Sequence, residues 1–145
     1  MHPKQICSDL EVLGSRLVLD GNDLYIEKPE KVYPELEAFV QSYKKRIIRY
    51  LKGEYSDHEH NVKQTIDKII NYFMGIDQEI NRKIDDWFNH DYESVMKVME
   101  LLVLFWENGW RELKESVSNF ESEETDRLSI EIYDRAMSYF KGKKA

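Results

Sequence analysis

The predicted fold of the N-terminal part of this chain depends on residues 13–51, LGSRLVLDGNDLYIEKPEKVYPELEAFVQSYKKRIIRYL. Apolar and polar side chains alternate twice within it, first around Leu17 and Leu19 and then around Leu24 and Ile26. A period of two predicts β-strands, and the DGND between the two runs suits a tight turn. The stretch therefore predicts a β-hairpin, which needs helices over its apolar face because an isolated hairpin is marginally stable.

Helices are predicted on both sides of this hairpin. Before it, Pro3 suits a first helical turn and Gly14 suits a helix end. After it, Pro34 begins a second helix that closes at Lys52-Gly53. The apolar stripe of this second helix consists of Leu36, Phe39, Val40, Tyr43, Ile47, Ile48 and Leu51. Residues 1–53 thus predict a small α-β-β-α module.

The rest of the chain predicts a helical region. We interpret the polar residues 54–60 as a linker or a loose helix start. In residues 61–145, apolar side chains recur every three or four positions in three successive segments, which predicts three amphipathic helices in an antiparallel bundle. The first runs to Trp87, and the second keeps its phase across Asn108-Gly109, which favours a kink over an end. The predicted fold class is α+β, mainly α.

The middle of the second helix is apolar on more than one side. Trp87, Trp106 and Trp110 lie on the predicted stripes, so we expect all three to pack in the bundle. Further apolar side chains widen the arc beyond what two neighbouring helices would cover, and we expect them to hold a homodimer together. These are Leu101, Leu104 and Phe105.

Composition and charge limit the possible environments. The 145 residues are 41% hydrophobic, and the net charge is −7. Residues 1–56 hold nine basic and nine acidic side chains, whereas residues 57–145 hold 12 and 19. Such an acidic surface repels phosphate backbones, which disfavours nucleic acid as a partner. The longest apolar run has six residues, far short of the ~20 needed to span a bilayer, so we expect no membrane association.

Cysteine usage and possible metal ligands are equally sparse. The lone Cys7 can form no internal disulfide, and the N-terminus lacks a secretory apolar core, so we expect a cytoplasmic protein. His58 and His60 lack an identifiable third ligand, and Asp86 with His90 reads as a surface pair. No catalytic motif is present. We therefore predict no enzyme activity, no metal and no cofactor.

The order of elements in residues 3–52 resembles the TubC-type N-terminal docking domain found at the front of nonribosomal peptide and polyketide synthetase subunits. Ser15 replaces a usually apolar residue, and Tyr33 stands where a capping Ser or Thr is common. No synthetase domain follows in the 145 residues, so we expect only the binding mode to apply. The matching positions are Leu13, Gly14, Leu17, Gly21, Asp23, Leu24, Ile26, Pro29, Pro34, Glu35, Leu36, Lys44, Ile47, Ile48 and Leu51.

The resemblance implies a module that recognises a short peptide of a partner protein on its hairpin, often as a dimer. A hairpin has free edges to which an extended peptide can add a strand. On this basis the predicted partner-binding residues are Arg16, Val18, Asp23, Tyr25 and Glu27 on the hairpin, with Lys44 and Lys45 on the helix that follows.

Two classes of function remain open from the sequence. The favoured one is an adaptor or small inhibitor of the kind that phages and mobile elements encode, in which the hairpin captures a peptide. The alternative is a nucleic-acid-associated regulator, in which a basic helix contacts phosphates. The residues of that helix are Lys44, Lys45, Arg46, Arg49 and Lys52.

Overall fold

The computed structural model describes residues 1–142, and the last residues of the basic tail, 143–145, lie outside the described part. The chain divides into two compact units, Met1–His60 (unit 1) and Asn61–Ala145 (unit 2). The predicted fold class is confirmed, because helices dominate and the β-structure described is one two-stranded antiparallel sheet.

Unit 1 contains the hairpin and the helices around it. Its elements are α1 (Pro3–Val12), β1 (Arg16–Asp20), β2 (Asp23–Glu27), a 3-10 turn (Pro29–Lys31), α2 (Pro34–Ser42), α3 (Lys44–Leu51) and the start of α4 (Asp57–Met74). The single helix predicted after the hairpin is two helices, because Tyr43 leaves the helical region at φ −113° and ψ 19°. Residues 57–60 of the polar interval form the first turn of α4.

The hairpin has the predicted strands. Leu17 faces Ile26, Val18 faces Tyr25, and the turn consists of two residues, Gly21 and Asn22. Leu17, Leu19, Leu24 and Ile26 are half-buried, whereas the residues that alternate with them are mostly exposed. This alternation places one face of the hairpin on the core of unit 1 and leaves the other in solvent.

The core of unit 1 is a small aliphatic cluster formed mainly by side chains of α1, α2 and α3. Leu17, Leu24 and Ile26 of the hairpin pack against it, which confirms that helices cover the hairpin's apolar face. Ser15, the departure from the docking-domain pattern, is buried and donates its hydroxyl to the carbonyl of Glu27. The buried members of the cluster are Ile6, Leu10, Val32, Leu36, Val40 and Ile47.

Unit 2 differs from its prediction in the number of helices. In the described residues it contains most of α4 (Asp57–Met74), α5 (Gln78–His90), α6 (Tyr92–Glu107), a 3-10 turn (Ser118–Phe120) and α7 (Glu123–Gly142). The prediction of a three-helix bundle is therefore wrong, since four helices contribute to this unit.

Two predictions about unit 2 are wrong at glycines that end helices. These are the continuous helix up to Trp87 and the kink at Asn108-Gly109. The amides of Gly75 and Ile76 bond back to the carbonyls of Tyr72 and Asn71, which closes α4 with a Schellman motif. Gly109 ends α6 in the same way, because its amide bonds to Trp106 and that of Trp110 bonds to Phe105. Positive φ angles of 68° at Gly75 and 116° at Gly109 permit these endings. Asn108-Gly109 is thus a helix end and not a kink.

The side of α6 that was expected to form a dimer lies in the core of unit 2, and part of the side that was expected in the core is exposed. Leu101 and Phe105 are 2% and 1% exposed and lie in the main apolar cluster, and Leu104 packs against that cluster. The expected oligomerisation face is therefore interior. Trp87 and Trp110 are buried as predicted, whereas Trp106 is exposed, contrary to prediction. Because α6 is apolar on several sides, its pattern alone does not tell which side meets the neighbouring helices.

Unit 2 also contains an ion cluster around the buried side chain of Lys63. Lys63 of α4 is 5% exposed and forms ion pairs with Glu121 and with Asp126 Oδ1, the latter at 2.9 Å. Glu121 is buried too. A buried charge is tolerated only when it is paired, so these side chains depend on one another.

Candidate functional site

The exposed face of the hairpin brings the predicted hairpin residues together. Val18 and Tyr25 lie opposite each other at its centre, and both are exposed. At one end Arg16 forms an ion pair with Glu27. At the turn end Asp23 lies opposite Asp20, a residue that the sequence analysis did not select. The face is therefore an apolar pair between an ion pair and an acidic end.

The backbone edges of the hairpin are set by its turn. A two-residue turn makes the pair that closes it, Asp20 and Asp23, a hydrogen-bonded pair, and such pairs alternate along the strands. Val18 and Tyr25 then bond to each other through their backbones. The hydroxyl of Ser15 donates to the carbonyl of Glu27, which agrees with a backbone at Glu27 that faces β1.

The backbone groups that face outward therefore belong to the alternate residues. These are Leu17 and Leu19 on β1, and Leu24 and Ile26 on β2. In residues 1–142, no backbone–backbone hydrogen bond joins either outer edge to another element. The helix α1 packs beside β1, whereas the close backbone neighbour of β2 is β1. We therefore take the outer edge of β2 as the candidate docking edge.

Sequence reasoning found the exposed side chains of the hairpin but missed the residues that supply its free edge. Leu24 and Ile26 combine core-facing side chains with outward-facing amides, while Tyr25 combines an exposed side chain with an amide used inside the hairpin. The two-residue turn was the signal that could have identified them, because it decides which pairs are hydrogen-bonded.

The basic helix α3 does not present a uniform phosphate-binding surface. Arg46 is buried and lies 5.4 Å from the centre of the Tyr43 ring. Arg49 binds Glu59 with two hydrogen bonds, at 2.9 Å from Nε and 2.6 Å from Nη2. Lys52 donates to the side chain of Asn22 in the hairpin turn at 2.8 Å.

Two basic residues at the start of α3 were also predicted to contact the partner. Lys44 is half-buried and Lys45 is exposed. Because three of the five basic residues of the predicted patch are engaged within unit 1, the structure gives the nucleic-acid alternative no support.

The histidines take part in aromatic and polar contacts. The rings of His2 and His60 lie 4.4 Å apart, and Tyr55 Oη lies 3.1 Å from His60 Nδ1. Tyr139 stacks on the His90 ring and donates to Asp86 Oδ2 at 2.6 Å. No group of three or more His, Cys, Asp or Glu side chains in residues 1–142 is placed to hold a metal ion.

The single thiol lies in an environment that opposes its ionisation. Cys7 is half-buried in α1. Burial, and to a lesser extent the negative charge of Glu11, raise the pKa of this thiol above its ordinary value. Since the thiolate is the nucleophilic form, this environment lowers its reactivity at neutral pH.

Asp91 is a carboxyl group whose pKa is lowered by its hydrogen bonds. Burial would raise that pKa, but hydrogen bonds from Arg135, Ser94 and Trp87 outweigh it and lower the pKa to about 2. Arg135 Nη2 lies 2.6 Å from Asp91 Oδ1, and the amide of Ser94 makes Asp91 the N-cap of α6. Asp91 thus joins α5, α6 and α7, which assigns it a structural role.

Unit 2 also contains an open groove between α4, α5 and α7. Its volume is about 890 Å³, and its floor includes Ile69, Ile84, Trp87 and Phe140. Basic side chains such as Lys68 lie at its rim, and its lining contains neither His nor Cys. The groove could hold an apolar group beside these basic side chains.

Comparison with known proteins adds no assignment. No protein-family model, curated protein or solved structure matches this chain. The resemblance of residues 3–52 to a docking domain therefore stays a prediction. In residues 1–142, every helix is too short or too polar to cross a membrane.

Proposed function

We propose that this protein is a non-enzymatic interaction module that captures an extended peptide of another protein on the outer edge of β2. The observation that carries the proposal is the set of backbone groups at Leu24 and Ile26, which face outward without a backbone partner in the described residues. An unpaired strand edge is a template for a further strand, whose backbone hydrogen bonds supply affinity.

The exposed face beside this edge gives the proposed peptide its chemistry. In an added strand, alternate side chains of the peptide lie on the same face as Asp23, Tyr25 and Glu27. Tyr25 offers an apolar contact and Asp23, which lies opposite Asp20, offers negative charge, whereas Glu27 is already paired with Arg16. We therefore expect the bound segment to carry an apolar residue next to Tyr25 and a basic residue beside Asp23.

The element order α1-β1-β2-α2 supports this binding mode, because it is the order that the resemblance to docking domains implies. The biological role that follows is that of an adaptor or small inhibitor, of a kind encoded by phages and mobile elements and acting in the cytoplasm. Self-association is not required for this role, since Leu101 and Phe105, the side chains expected to drive it, are buried within unit 2.

The proposal is tested first by hydrogen exchange. A partner is captured from the native host with the full chain, and amide exchange is compared with and without it. We expect the amides of Leu24 and Ile26 to become protected at least about tenfold, because they enter new hydrogen bonds. The amides of Leu17 and Leu19, on the opposite edge, are the internal control and should exchange at an unchanged rate.

A backbone substitution makes the test specific. Replacing Ile26 by its α-hydroxy acid removes the amide N–H and keeps the side chain, so the core of unit 1 is retained. We expect partner affinity to fall about fivefold, the effect of roughly 1 kcal/mol for one hydrogen bond. The same replacement at Leu19 should leave affinity unchanged. Equal affinities for both variants, together with no protection at β2, would refute strand addition.

A further inference from the structure

One face of α6 exposes an uninterrupted row of large apolar side chains. Tyr92, Met96, Met99, Val103 and Trp106 are 75%, 51%, 40%, 54% and 54% exposed. Single exposed apolar residues are common on protein surfaces, but a continuous patch marks an interaction site. Their spacing alternates between four and three residues, which is the seam of a coiled coil. We call these five residues the α6 seam.

The α6 seam is distinct from the side of α6 that stabilises unit 2. Val98, Leu101 and Phe105 lie on that other side and are almost completely buried in the main cluster. The helix therefore has two apolar sides, one buried in unit 2 and the other exposed to solvent. At its C-terminal end, the Arg111 guanidinium lies 4.1 Å from the centre of the Trp106 ring.

A row of carboxylates runs along one border of the seam. Glu93, Glu100 and Glu107 are exposed and follow one another at intervals of seven residues. With Met96 and Val103 at heptad positions a, the three glutamates occupy positions e, where a coiled coil places charges that select its partner. Glu93 Oε2 also lies 3.2 Å from Arg135 Nη1.

A second copy of this chain does not provide the complementary charge. In an antiparallel pair of α6 helices, e positions face e positions, so glutamates would oppose glutamates. In a parallel pair, e positions face g positions, which are the half-buried Val95 and Leu102. Neither arrangement supplies a cation, and the first is repulsive.

We propose that the α6 seam binds an amphipathic helix of another protein, one with apolar residues at its a and d positions and Lys or Arg residues beside them. The α6 helix has 16 residues, a length of about 24 Å, which accommodates two heptads of such a partner. This site is separate from the hairpin edge, so either proposal can fail without the other.

Two synthetic peptides test the proposed chemistry on the full-length protein. Both have four heptads with identical Leu residues at a and d, but one carries Lys and the other Glu at every e and g position. We expect the Lys peptide to bind at least about tenfold more tightly by fluorescence anisotropy at low salt, since attractive charge pairs replace repulsive ones. The preference should shrink as salt is added.

Substitutions in the protein separate the seam from other surfaces. Val103→Asp puts a charge in the centre of the seam and should abolish binding of the Lys peptide. Ile130→Asp, at an exposed apolar position of α7, is the control and should bind normally. The double variant Glu100→Lys/Glu107→Lys should reverse the preference in favour of the Glu peptide. Circular dichroism on each variant verifies that the helices are retained.

Three results would overturn the proposal. The first is that neither peptide binds at concentrations up to about 1 mM. The binding free energy would then be weaker than about 4 kcal/mol. The second is equal binding of both peptides, or binding that survives Val103→Asp. The third is a dimer in light scattering that Val103→Asp converts to a monomer, which would assign the seam to a second copy of the chain.

Discussion

Unit 1 and unit 2 differ in their cores and in the kind of surface that each exposes. The core of unit 1 is a small aliphatic cluster, whereas that of unit 2 is larger and includes Trp87, Phe105 and Trp110. Unit 1 exposes the backbone edge of a strand, and unit 2 exposes the side chains of the α6 seam. The two proposed surfaces therefore differ physically, since one consists of backbone groups and the other of side chains.

The two kinds of surface should respond differently to solution conditions. Strand addition relies mainly on neutral backbone hydrogen bonds, with a smaller contribution from a charge pair at Asp23, so it should weaken only slightly as salt is added. Docking on the α6 seam combines apolar burial with charge pairing and should weaken as ionic strength rises. Unit 2 should also be the more stable of the two units, since its larger apolar core buries more surface.

The largest effect is expected from the core of unit 2. Phe105→Ala should lower the free energy of unfolding by about 3 to 5 kcal/mol, because it leaves a cavity in the main cluster. All three tryptophans lie in unit 2, so the tryptophan fluorescence of a urea titration reports this unit alone. Val103→Ala, two positions earlier but exposed, is the matched control and should cost about 0.5 kcal/mol or less.

The buried ion cluster should give the next largest effect. Lys63→Met removes the charge that compensates Glu121 and should destabilise unit 2 by about 3 kcal/mol in the same titration. Lys68→Met, on the exposed side of the same helix, should change stability by less than about 0.5 kcal/mol. Equal losses in the two variants would mean that the buried pair contributes nothing specific.

Asp91 should make the stability of unit 2 dependent on pH in acid. Its folded-state pKa of about 2 lies below the ordinary value of 3.8, so its stabilisation is complete above pH ~4 and is lost as the pH falls toward 2. Asp91→Asn keeps a capping side chain but loses the charge, and should cost about 1 to 2 kcal/mol at pH 7.

The difference between Asp91→Asn and the wild type should shrink as the pH falls from 4 to 2, where the wild-type carboxyl also becomes neutral. Asp134→Asn, at an exposed position of α7, is the control and should follow the wild-type acid titration. A gap between Asp91→Asn and the wild type that stays constant down to pH 2 would contradict the assigned role.

The smallest effect is expected in the hairpin of unit 1. Asp20 and Asp23 are directly opposite each other, and like charges in that position destabilise a strand pair. Asp23→Thr should therefore stabilise the hairpin by about 0.5 kcal/mol, seen as slower exchange of the amides of Val18 and Tyr25. Glu30→Thr, an exposed position outside the strands, should have no effect on these amides.

Local signals in the sequence were sufficient for the hairpin. The alternation around Leu17 and Leu24, together with the turn, predicted the strands that the structure contains. The same kind of signal was present at Gly75 and Gly109, but the uninterrupted apolar phase outweighed it in the interpretation. A stripe can continue in phase across a helix end, so phase is weaker evidence for continuity than a glycine is for termination.

The sequence by itself determined the fold class, the strands and the exposed hairpin face with Val18 and Tyr25, because these depend on contacts between residues close in the chain. Only the tertiary structure decided which side of α6 is interior. Phe105 and Trp106 are adjacent and both apolar, yet one is buried and the other exposed. The choice depends on how α5 and α7 pack against α6, and that information lies in residues distant in sequence.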